Sequence, residues 1–154
     1  MQQNERLLKI QLVNQYNEAA AAAEISVGGE EIARAWAKSV DAPEELTLAD
    51  MRAVEAVLMA PLYQWINLYR LHESGITDEN EWKTEVVTNA GYYYGTDYGR
   101  AWWEYMSRFF EPPFLPEELE AQINEVVWDD SDIGQMYGEI KRRALEIRSQ
   151  TPES

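Results

Sequence analysis

The sequence predicts an all-α fold, a single domain of six or seven helices, and three observations carry that prediction. Apolar residues recur at three- and four-residue spacing along most of the chain. Glycine and proline punctuate those runs, and no run of strands is legible. The 154 residues suit one domain, and 45% apolar residues with six Trp and nine Tyr are enough to fill a core. We read residues 1–148 as the helical domain and 149–154 as a tail.

The elements follow in order. From about Asn4 to Ile25 one face carries Leu8, Leu12, Tyr16, Ala19 or Ala20 and Ala23, and Gly28-Gly29 ends the run. A short helix places Ile32, Trp36 and Val40 on one side, with Glu30 and Arg34 at pairing distance, before a turn at Asp41-Ala42-Pro43. Thr47 and Asp50 form the pattern of a capping box. Behind them Met51, Val54, Leu58, Leu62, Trp65, Tyr69 and His72 make the longest stripe in the chain. Pro61 lies inside that stripe, where a ring without an N–H predicts a kink or a break, and Gly75 predicts the stop. Thr77 is placed to cap the next helix, which buries Trp82 and Val86. Asn89 to Gly99, with three glycines and four tyrosines, reads as a loop. A helix from Asp97 to Phe110 follows, stopped by Pro112-Pro113. Another begins at Pro116 with Leu119, Ile123 and Val126 or Val127 inward. The last, from about Asp132, carries Ile133, Met136 or Tyr137, Ile140, Ala144 and Ile147, with acids at its start and bases at its end as the helix dipole favours.

Composition excludes several chemistries. The chain has no cysteine, so disulfides, thiolate metal sites and thiol nucleophiles are absent together, and one histidine leaves most zinc sites and triads incomplete. A formal charge of −15 repels phosphate, which disfavours direct nucleic-acid binding. No apolar stretch approaches the ~20 residues of a membrane span.

Several signals also recur in a fixed order. Glu31-Ile32-Ala33-Arg34-Ala35-Trp36 is followed by Leu46-Thr47 opening a long helix, then by Trp65 with Tyr69. Gly75-Ile76-Thr77-Asp78-Glu79 leads to Trp82, and Gly99-Arg100-Ala101-Trp102-Trp103 with Phe109-Phe110 closes the series. Over roughly residues 3–127 this order resembles a widespread group of bacterial proteins that have one N-terminal membrane helix and a cytoplasmic helical domain. The resemblance implies that residues 1–27 follow a membrane anchor and that the domain is cytoplasmic, at the inner face of the inner membrane; Arg6 and Lys9 are the nearest bases. It implies no catalytic residue, metal or cofactor. The segment Tyr92 to Tyr98 is longer than the family's Pro-Gly turn, and Pro61 and the last helix lie outside its pattern.

Several places are weighed as candidate sites. Tyr98, Trp102, Tyr105 and Phe109 form one aromatic stripe, and Trp103, Met106 and Phe110 the neighbouring one, so their helix is expected to be central and packed on both flanks. Trp65, Tyr69, His72, Arg100 and Trp102 are the candidate pocket, with core packing as the simpler reading for the rings and a helix C-terminus or Glu104 as the partner for Arg100. His72 lacks companion ligands at 69 and 76, and Asp129-Asp130-Ser131-Asp132-Ile133-Gly134 fails a calcium-loop template because Ile140 falls where a bidentate Glu is needed. Ten acids against Arg108 alone lie between Glu104 and Glu139; Glu117, Glu118 and Glu120 are expected on a solvated face that could meet a basic protein partner. The loop carrying Tyr92, Tyr93, Tyr94 and Tyr98 is the other candidate interface, since tyrosine gives wide amphipathic contact at small entropic cost. The expected function is a non-enzymatic helical interaction or scaffolding domain. An acidic nucleic-acid mimic and a small-molecule sensor are the alternatives.

Overall fold

Thr47 starts the helix around which the others pack. Its hydroxyl accepts from the Asp50 N–H at 3.2 Å, and the Asp50 carboxylate accepts from the Thr47 N–H at 3.0 Å, closing the predicted capping box. In the computed structural model, which describes residues 2–27, 29–110, 114–129 and 133–150, seven α-helices make up the fold and no strand occurs among the described residues. They are α1 (Gln2–Val27), α2 (Glu30–Asp41), α3 (Leu48–Glu73), α4 (Glu79–Tyr94), α5 (Asp97–Met106), α6 (Glu117–Val127) and α7 (Ile133–Gln150). Single 3-10 turns occur at Pro43–Glu45 and Ser107–Phe109.

α3 and α4 form the central hairpin. α1 and α2 pack on α3, while α5 and α6 pack on α4. Val54, Leu58, Leu62, Trp65 and Tyr69 of the predicted stripe are buried, together with Trp82 and Val86 from α4 and Leu119, Ile123 and Val127 from α6. Each large side chain taken fully out of water contributes about 1.5–3 kcal/mol, which is why these contacts fix the arrangement. The hairpin turn is a Schellman motif: Gly75 N–H donates to the His72 carbonyl and Ile76 N–H to the Leu71 carbonyl, both at 2.9 Å. Gly75 has φ +73°, a left-handed conformation that a side chain would strain.

Several expectations are corrected. α3 runs unbroken through Pro61, which is buried within it, so no break occurs. Asp78, not Thr77, caps α4, with Glu81 completing a second capping box, and Thr77 is buried. The stretch from Asn89 is no loop: α4 continues to Tyr94, and only Gly95 and Thr96 separate it from α5. This junction is tight because a Cβ at Gly99 would stand 2.8 Å from the Tyr93 carbonyl oxygen and 2.9 Å from the Tyr94 Cα. α5 is buried on one flank only, leaving Tyr105 and Phe109 exposed. The stripe on α7 is likewise uncovered at Met136, Tyr137, Ile140 and Ile147. α7 also reaches Gln150, so Ser149 and Gln150 belong to the helix and not to the tail. The Pro112-Pro113 stop and Asp130, Ser131 and Asp132 lie outside the described residues.

Candidate functional site

The candidate pocket residues enter the structure as core. Tyr94 is the hub, fully buried, with Trp103 stacked on it at 5.3 Å and 16°, Trp65 edge-on at 5.4 Å and Trp102 tilted at 5.5 Å. Its hydroxyl donates to the Leu58 carbonyl at 2.7 Å, tying α4 to α3. Burial pushes the Tyr94 phenol well above its ordinary pKa. Trp103 Nε1 donates to the Asn124 side-chain carbonyl at 2.7 Å, which fixes α6 against α5. Tyr69 packs edge-on against Trp82 at 5.1 Å, with His72 beside both rings. The Tyr69 hydroxyl donates to Glu118 at 2.9 Å; burial first, and that carboxylate second, push its pKa up to about 12.

Arg100 stands elsewhere. Its Nε donates to the Val127 carbonyl at 2.9 Å and its guanidinium to the Asp129 carbonyl at 3.0 Å, so it caps the C-terminus of α6, the first of its two expected partners. Glu104 pairs with Arg108 instead. The five residues therefore do not converge on one cleft: Trp65, Tyr69 and His72 face the ring cluster, Arg100 faces α6, and Trp102 reaches a cavity wall.

That wall belongs to an open cleft of about 800 Å³ between the first turns of α3 and the length of α5. Leu48, Met51, Tyr98, Trp102, Tyr105 and Met106 supply its apolar surface, and Arg52 and Glu55, ion-paired to each other, stand at its edge. Leu48 is 84% exposed and Tyr105 61%, unusual for large apolar side chains beside a concave surface. Of the tyrosines in the candidate interface, Tyr98 lines this cleft and Tyr94 is core. Tyr92 and Tyr93 line a second, smaller cavity of about 320 Å³ with Trp36, Val40, Val57 and Tyr137. On α6, Glu117 and Glu118 are exposed and Glu120 is half-buried, and the Glu118 carboxylate is already engaged by Tyr69. Among the described residues no group of three His, Asp or Glu is spaced to hold a metal ion. No helix is long and apolar enough to cross a membrane, again among the described residues.

Sequence reasoning missed both cavities. Met51 stands at the start of the inward stripe of α3 and is exposed, and Leu48 precedes the stripe altogether. Trp36 was legible as an inward residue of α2, but nothing in its own helix indicates that Tyr92 and Tyr137 meet beside it. Comparison of the chain with protein families, with curated proteins and with solved structures finds no match.

Proposed function

We propose that this chain is a helical protein-interaction domain whose cleft between α3 and α5 receives an amphipathic helix from a basic partner protein. The observation that carries the reading is the combination of an apolar concave surface with large side chains left in water beside it, Leu48, Met51 and Tyr105. A partner helix with anchors at three- and four-residue spacing would cover those side chains. Charge supports a basic partner, because the −15 field of the domain accelerates encounter with a cation-rich surface. Four polar groups in and beside the aromatic cluster are committed to structure, Tyr94 to Leu58, Trp103 to Asn124, Tyr69 to Glu118 and Arg100 to the end of α6, while the buried Trp82 Nε1 has no partner among the described residues.

A photo-crosslinking residue placed at Tyr105, and as a control at exposed Arg34 on α2, tests the reading in cells. The Tyr105 probe should capture a discrete partner that the Arg34 probe does not. The double change Leu48→Asp with Tyr105→Asp should weaken that partner's binding at least ten-fold while leaving the melting temperature in place. Equal capture from both positions, or undiminished binding by the double variant, would overturn the proposal. Binding that ignores the cleft but falls steeply with salt would point instead to an acidic mimic of nucleic acid. The family resemblance supports a place at the inner face of a bacterial inner membrane, and fractionation of the native protein tests that placement.

A further inference from the structure

We propose that the cavity between α2, α4 and the start of α7 is a binding site for a methylated ammonium group. Trp36, Tyr92, Tyr93 and Tyr137 line it, and Asp41 stands at its edge. The rings are steeply inclined to one another: Tyr92 to Tyr93 at 83°, Tyr92 to Tyr137 at 60° and Trp36 to Tyr93 at 66°, with centroids 5.1–6.4 Å apart. These are edge-to-face contacts of the kind aromatic rings prefer, and the four side chains that make them also line the one cavity. A Tyr92–Tyr137 hydroxyl hydrogen bond joins two of those side chains across 45 residues of sequence.

Three further features select a cation over a neutral apolar ligand. The faces of Trp and Tyr attract a cation within ~6 Å through their quadrupoles, and quaternary ammonium recognition is the established use of such rings. The last turn of α2, with Trp36, Ala37, Val40 and Asp41, forms one side of the cavity, so the negative end of that helix dipole lies beside it. Asp41 makes no ion pair among the described residues, whereas Lys38, the nearest base in the same turn, is held by Asp50 at 3.0 Å and is thereby neutralised. A volume of about 320 Å³ is at the lower end for a small-molecule site and exceeds what a trimethylammonium head requires. The site therefore has room for the head group and the first atoms of the chain that carries it. That chemistry is shared by a free choline-type metabolite and by a trimethylated lysine side chain.

Calorimetric titration of the full chain with choline, and with its neutral carbon isostere in which carbon replaces nitrogen, is the decisive measurement. Choline should bind at least about ten-fold more tightly than the isostere, since only the charge differs. Tyr137 is exposed, so Tyr137→Leu should fold normally and weaken choline at least about five-fold; Asp41→Asn should weaken it as well, and Tyr137→Phe should retain most of the affinity. A peptide bearing one trimethyl-lysine, compared with its unmethylated form, separates the two sources: tighter binding than choline with loss on demethylation assigns a protein side chain, and weaker binding assigns the free metabolite. Equal affinity for choline and its isostere, no heat with choline at tens of millimolar, or indifference of binding to both Tyr137→Leu and Asp41→Asn would overturn the proposal. The Leu48 and Tyr105 changes in the other cleft should leave this binding untouched, so the two proposals fail separately.

Discussion

Tyr94 and Thr77 are both buried polar residues, and they differ in one respect that predicts opposite consequences of removing their hydroxyls. The Tyr94 hydroxyl has a partner, the Leu58 carbonyl, at 2.7 Å. The Thr77 hydroxyl has none among the described residues. A buried hydrogen bond contributes about 0.5–1.5 kcal/mol net, whereas a buried hydroxyl without a partner costs about 1–3 kcal/mol in lost hydration. Tyr94→Phe should therefore destabilise the domain by about 1 kcal/mol while keeping the stacking on Trp103, and Thr77→Val should be neutral or stabilising. Denaturant unfolding of the two variants beside the parent chain measures both. A loss of more than 1 kcal/mol on Thr77→Val would mean that the hydroxyl is solvated by an ordered water and that its burial is not a cost.

At the scale of elements, what was legible in the sequence is what local chemistry decides. The Thr47–Asp50 capping box, the Gly75 stop and the stripe of α3 from Val54 to Tyr69 depend on residues a few positions apart and are found in the structure, while the cap read at Thr77 belongs to its neighbour Asp78. The run from Asn89 to Gly99 misleads because tyrosine and glycine are poor helix formers. The helix survives there because Tyr94 is anchored to α3 and between Trp65 and Trp103, contacts that lie far off in sequence. The aromatic stripe of α5 and the apolar stripe of α7 mislead in the other direction. Periodicity reveals that a face exists but not whether anything covers it. For the same reason the two cavities, each built from three or more elements or from widely separated ones, could not be read from any one helix. A direct comparison tests the placement of α7. Ile140 is 57% exposed and Ile123 fully buried, so Ile140→Ala should change stability by less than about 0.5 kcal/mol, while Ile123→Ala should cost about 2–5 kcal/mol. Equal losses at the two sites would show that α7 packs in solution as firmly as α6.

The whole molecule carries 28 acids against 13 bases, and four of those bases, Lys141, Arg142, Arg143 and Arg148, are in α7 alone, which leaves the other helices the more acidic. Two electrostatic effects then compete, and salt separates them. The surface ion pairs, such as Glu79–Lys83, Glu104–Arg108 and Glu146–Arg143, are exposed and contribute little. Repulsion among the surplus carboxylates acts at longer range. At about 0.01 M salt the Debye length is ~30 Å, which spans a domain of this size; at 0.15 M it is ~8 Å, which reaches only immediate neighbours. Added salt therefore removes most of the repulsion while weakening contact pairs less, since those lie well within either length. Raising sodium chloride from about 0.01 to 0.15 M should increase the melting temperature by roughly 2–4 °C, the equivalent of about 1 kcal/mol for a chain of this length. Sodium chloride is the proper salt, because sulfate would strengthen apolar burial by exclusion and blur the comparison. A melting temperature that falls over this range would mean that the ion pairs outweigh the repulsion. The acidic field would then be largely cancelled at the surface, and the argument for a basic partner would lose its electrostatic support.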